Sequence, residues 1–123
     1  MTNRDQQFGE ICEAIAVEYL NKHGYRIVEQ NYRTKLGEID IIAKDKGVLV
    51  FIEVKARKSF RFGNPKWAVT PKKQRKISMV ALYYLKATKQ RDVKARFDVV
   101  SIYPIQGSQG IELIKNAFEL AYT

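Results

Sequence analysis

The 123-residue chain sets 22 Lys and Arg against 13 Asp and Glu, a net charge of +9, on a composition that is 46% hydrophobic. That balance excludes a disordered chain, fits one domain over residues 1–123, and favours a polyanionic partner, nucleic acid before an acidic membrane surface. One cysteine, Cys12, excludes an internal disulfide, one histidine, His23, excludes a His-rich metal site, and no run approaches the ~20 apolar residues of a membrane span.

At the N-terminus, Arg4, Asp5, Glu10 and Glu13 stand where a signal peptide needs an apolar run, so a soluble, cytoplasmic protein is expected. Phe8, Ile11, Cys12, Ile15, Ala16, Tyr19 and Leu20 recur at helical spacing, which predicts an amphipathic helix over 5–22, ended by Gly24. His23 reads as a helix-end residue. "YRIVEQNYR" predicts a first strand, and "GEIDIIAK" and "VLVFIEVKAR" two more around a turn at "DKG". Residues 58–69, "KSFRFGNPKWAV", read as a loop, after which Thr70-Pro71 supplies an N-cap and first helical position for a helix to about Thr88. Its inner face would carry Ile77, Val80, Ala81, Tyr84 and Ala87. "RFDVVSIYP" predicts a fourth strand, "IQGSQG" a turn, and "IELIKNAF" a short last strand. The order α-β-β-β-α-β-β predicts an α/β fold, a mixed sheet flanked by helices.

The hairpin carries Glu38, Asp40, Glu53 and Lys55 among isoleucines and valines, and such groups cost free energy unless they are paired, solvated or bound. With a two-residue turn at Lys46-Gly47, strand alternation sets Asp40 opposite Glu53 and Glu38 opposite Lys55. Facing carboxylates repel, which makes a poor structural device and a good divalent-cation site; oxygen ligands without His or Cys favour Mg²⁺ or Mn²⁺. Lys55, two residues from Glu53, would stand beside the cation and orient a water or a phosphate oxygen. The competing reading is a salt-bridge ladder in which Lys55 neutralises Glu38 and Glu53. Glu13 falls at the border of the first helix's apolar stripe, from which it can reach a helix–sheet cleft or face water.

Asp40, twelve residues, then Glu53-Val54-Lys55 resembles the Asp…Glu-x-Lys signature of the restriction-endonuclease-like, PD-(D/E)xK nuclease superfamily. The wider set "G24-Y25", "N31-Y32-R33", "G37-E38-I39-D40", "F51-I52-E53-V54-K55-A56-R57", "F62-G63", "R96-F97-D98" and "N116-A117-F118" resembles the YraN-like family of uncharacterised bacterial proteins over nearly the whole chain. The resemblance implies a restriction-endonuclease-like core similar to that of archaeal Holliday-junction resolvases. It implies Asp40 and Glu53 as metal-binding acids, Lys55 as the catalytic lysine, Glu13 as a helix-borne assisting acid and the Val54 carbonyl as a further ligand. Ile39 stands where the nominal signature has proline. Gln74 could match a helix-borne glutamine of some branches.

"PKKQRK", residues 71–76, sets Lys72, Lys73, Arg75 and Lys76 in the first turns of the second helix, where cations oppose the helix dipole and phosphate binding makes sense of them. Arg57, Lys58, Arg61 and Lys66 lie in the preceding loop among Phe60, Phe62 and Trp67, a pattern that suits a nucleic-acid track or a loop anchored by its aromatics. The expectation is a Mg²⁺- or Mn²⁺-dependent endonuclease acting on nucleic acid, DNA first and branched DNA among the candidates, working as a homodimer if it pairs as resolvases do. The alternative is a non-catalytic nucleic-acid-binding or adaptor module on the same fold.

Overall fold

Residues 3–56, 69–105 and 108–120 are described by the computed structural model. The elements are α1 (Asn3–Lys22), β1 (Arg26–Thr34), β2 (Gly37–Asp45), β3 (Val48–Ala56), α2 (Pro71–Ala87), β4 (Ala95–Ile105) and β5 (Ser108–Phe118), the order expected. The five strands lie side by side in chain order. β3 and β4 run parallel and every other pair antiparallel. A parallel pair needs a crossover, and α2 lies in it.

Each face of the sheet carries one helix. Under α1, Cys12, Ala16 and Leu20 pack on Ile41, Ala43, Val50, Ile52, Val100 and Ile102. Under α2, Ile77, Val80, Ala81 and Tyr84 pack on Ile39, Ile42, Leu49, Phe51, Phe97 and Val99. The α1 stripe is narrower than expected: Phe8 and Ile11, placed on it by spacing, are exposed. In α2, Ala87 is exposed and Ser78 takes the buried place. The predicted turn "IQGSQG" is mostly strand, since Tyr103, Pro104 and Ile105 pair with Gly110, Gln109 and Ser108. The pairing of two long strands there overrides local turn chemistry.

Helix α1 ends as Gly24 enters the left-handed region at φ +86°, and the Tyr25 N–H donates back to the Leu20 carbonyl at 3.0 Å. His23 caps the same end, its Nδ1 2.8 Å from the Tyr19 carbonyl and its ring stacked on Tyr19. Tyr25 then drops into the core. Its hydroxyl donates to the fully buried Asp98 at 2.9 Å, which also accepts from Arg96 Nε at 3.0 Å and the Asn116 N–H at 2.9 Å. Arg96 reaches on to Asp45 at 2.6 Å. These charges tolerate burial because their oxygens are bonded from several sides.

Candidate active site

The β2–β3 turn has the expected geometry, with Lys46 at φ 52° and Gly47 at φ 84°, and Asp45 pairs with Val48. From there the register runs as predicted to Ile41↔Ile52, where regular pairing stops. Beyond that point strict alternation fails: Ile39 and Ile41, two residues apart, pack in opposite layers. Asp40 lies at the break. Its Oδ2 accepts the Val54 N–H at 2.9 Å, so a side chain replaces the main-chain partner that the simple ladder would supply. The expected facing pairs, Asp40 with Glu53 and Glu38 with Lys55, are therefore absent from the observed ladder, whose regular pairing ends at Ile41↔Ile52.

The two acids meet nonetheless. Asp40 and the nearly fully buried Glu53 make a carboxyl–carboxyl hydrogen-bonding contact. Burial first, and the neighbouring Glu53 charge second, push the Asp40 carboxyl up from 3.8 to about 7, against the opposing pull of the Val54 N–H. Glu13 reaches the same region from α1; burial, then the charges of Asp40 and Glu38, raise its carboxyl above the ordinary range. Asn31, at φ 53° on β1, bridges Glu13 and Glu38: with its amide nitrogen turned toward them, it donates to Glu13 Oε1 and Glu38 Oε1 at 3.0 Å each. Arg33 completes this edge with an ion pair to Glu38 at 3.4 Å. Asn31 and Arg33 belong to the motif "N31-Y32-R33", yet their place beside the acids follows from β1–β2 pairing, which no local pattern reveals.

Glu38, Asp40 and Glu53, but not Glu13, line a cleft of about 390 Å³ together with Gly37, Thr70, Lys72, Lys73, Lys76 and Ile77. Gly37 adopts φ +149°, a conformation that favours glycine, while a Cβ there would meet Val80 Cγ2 at an ordinary contact distance of 3.5 Å. The lysines come from the start of α2, where Thr70 caps the helix and accepts from the Lys73 N–H at 3.2 Å. Lys73 Nζ forms an ion pair with Glu53. Burial works to lower the Lys73 ammonium, but Glu53, with Asp40 and Glu38 behind it, outweighs burial and raises it.

Lys55 is placed differently from expectation. Half-buried, it sits beside Ser101 in the β3–β4 ladder, outside the cleft lining, and makes no ion pair among the described residues. The salt-bridge ladder built on Lys55 is therefore not what holds the acids; Lys73 is the cation on Glu53. Of the basic run on α2, Lys72, Lys73 and Lys76 line the cleft and Arg75 does not. Gln74 is tied to the Val69 carbonyl at 2.9 Å, away from the acids. Arg57, Lys58, Arg61 and Lys66 lie outside the described residues, as do Phe60, Phe62 and Trp67. Among the described residues no three Asp, Glu, His or Cys side chains form a ready cation cage.

Residues 12–102 match the model of UPF0102, an uncharacterised protein family. A UPF0102 protein of Desulfosudis oleivorans is 52% identical over 97% of this chain and 95% of its own. A UPF0102 protein of Geotalea daltonii is 52% identical over 98% and 95%. One from Caldicellulosiruptor saccharolyticus is 46% identical over 92% and 98%. Matches of this extent cover both strands of the hairpin, α2 and the Arg96–Asp98 pair together, and the chain belongs to the UPF0102, YraN-like family.

Proposed function

We propose that the protein is a divalent-metal-dependent nuclease that binds nucleic acid, DNA in the first place, and hydrolyses phosphodiester bonds. The observation that carries this reading is the contact between half-buried Asp40 and buried Glu53 in a lysine-walled cleft. The α-β-β-β-α-β-β order and the Asp40…Glu53-Val54-Lys55 motif on adjacent strands support it, as they agree with a restriction-endonuclease-like core.

The donor set fits a hard cation. Two carboxyls in contact, one raised toward neutrality by burial and then by its neighbour's charge, are what a divalent ion with oxygen preference relieves. Asp40 and Glu53 would hold Mg²⁺ or Mn²⁺, with Glu13 at the margin and the Val54 main chain alongside. When bound, such an ion would help activate water for attack and would neutralise charge on phosphoryl oxygens. The chain does the positioning: the Val54 N–H orients Asp40, burial fixes Glu53, and Lys72 and Lys76 offer exposed ammonium groups to the phosphate backbone. Lys55, flanking Glu53, orients the attacking water. A symmetric pair of such clefts would suit a branched substrate.

The test is incubation of the pure protein with branched, flapped and linear nucleic acids in Mg²⁺, Mn²⁺ or EDTA. Metal-dependent cutting that Asp40→Asn abolishes is expected. Lys55→Met should retain metal binding by calorimetry and lose cleavage; cutting at the wild-type rate would make Lys55 structural. The second reading, a binding module without chemistry, draws on Lys73 already satisfying Glu53 and on Lys55 lying outside the cleft lining. Binding without cutting for every polymer and metal would establish it.

A further inference from the structure

Three lysines line the cleft, and among the described residues only Lys73 is ion-paired there. Its partner, Glu53, is nearly fully buried, while the Lys73 side chain is 45% exposed. A buried carboxylate needs a counter-charge, and one that arrives on a long, half-solvated stem from another element can leave again. The backbone of Lys73 is fixed, because its N–H is held by the Thr70 cap. The ammonium can therefore swing while the helix stays in place.

We infer that Lys73 is the resident counter-cation of the acid pair in the metal-free protein, and that a divalent cation must displace its ammonium from Glu53 on entering the cleft. This rests on the metal reading of the site and adds a competition to it. Two cations cannot both use the same buried carboxylate at full strength, since like charges at such distance repel. Displacement frees the ammonium beside Lys72 and Lys76, on the wall where a phosphodiester would lie. Metal loading and backbone capture are thus linked through one side chain.

The experiment is Mn²⁺ titration by calorimetry and thermal melting in EDTA and in Mn²⁺, without nucleic acid. Lys73→Met keeps the stem and removes the charge. It should bind Mn²⁺ roughly tenfold more tightly than wild type, melt lower in EDTA, and lose that deficit in saturating Mn²⁺. Lys73→Arg should act oppositely, weakening Mn²⁺ binding several-fold, because a bidentate guanidinium holds a carboxylate harder. It also serves as the test if the Met variant does not fold. Lys76→Ala, which removes a cleft charge outside the ion pair, should move Mn²⁺ affinity by less than Lys73→Met. Equal Mn²⁺ affinity for Lys73→Met and wild type, with the melting deficit persisting in Mn²⁺, would make Lys73 a fixed structural partner and leave the metal reading standing. An equal gain in Lys76→Ala would reduce the effect to diffuse charge and overturn the competition. If neither wild type nor variant binds Mn²⁺, the metal reading falls and the inference with it.

Discussion

Asp40 holds a raised carboxyl in the folded protein, and that has a signed consequence for stability. Between its ordinary value of 3.8 and about 7 the folded state binds more proton at this site than the unfolded chain does. Unfolding free energy from this group is therefore greatest below the ordinary value and falls as pH rises through about 7. The metal-free protein is expected to lose stability across that window, and Asp40→Asn, which keeps the shape without the charge, to flatten the slope and to equal or exceed wild type at pH 7.5. Urea unfolding in EDTA at a series of pH values measures both. A variant well below wild type at every pH would mean that the carboxylate stabilises the hairpin, and the case for a strained acid pair would be lost. The acids themselves were legible in the sequence because four charges interrupt an apolar hairpin. The Val54 bond and the Asn31 bridge were not, since the first depends on where β2 stops pairing with β3 and the second on how β1 pairs with β2.

At the scale of elements, the start of α2 sets the geometry of the cleft. Thr70 and Pro71 were readable as cap and first helical residue, and the structure has Thr70 at φ −67° and ψ 158° accepting from Lys73. With no acidic residue in its first turn, the helix leaves its basic start to be balanced by the sheet's acids. Thr70→Ala should cost about 1 kcal/mol in urea unfolding. It should also weaken Mn²⁺ binding less than Asp40→Asn does, because the cap positions lysines and not ligands. An unchanged unfolding midpoint would place the helix start under the control of packing at Val69 and Ile77 instead. Alternation assigns Lys55 to the face of Glu53, whereas the cleft lies where α2 crosses the sheet and its lining does not include Lys55.

Across the whole molecule, the charge of +9 coexists with a cleft in which three acids meet three lysines, so a polyanion at the cleft would depend on the surrounding basic surface as well as on Lys72 and Lys76. Nucleic-acid affinity should fall steeply with salt, and Lys72→Ala and Lys76→Ala should each flatten the log–log slope by about 1. Fluorescence anisotropy over a salt series reads this directly; unchanged slopes would move the binding surface off the cleft. No helix of the described residues is long and apolar enough to cross a membrane.

The sequence by itself determined the element order, the hairpin turn, the helix cap and the presence of an acid–acid–lysine motif, because each rests on local backbone preference or on strand and helix periodicity. Only the tertiary structure decided which cation meets Glu53. Lys55 is two residues away along the strand and Lys73 is twenty, yet α2 folds back over the sheet and brings the distant lysine to the buried carboxylate. It decided equally that Tyr25, Asp45, Arg96, Asp98 and Asn116 form one hydrogen-bonded network around buried Asp98, from residues up to 91 positions apart. Charge pairing in a low-dielectric interior acts through space, and a chain's local pattern carries no record of which groups a sheet and a crossover helix will place within reach.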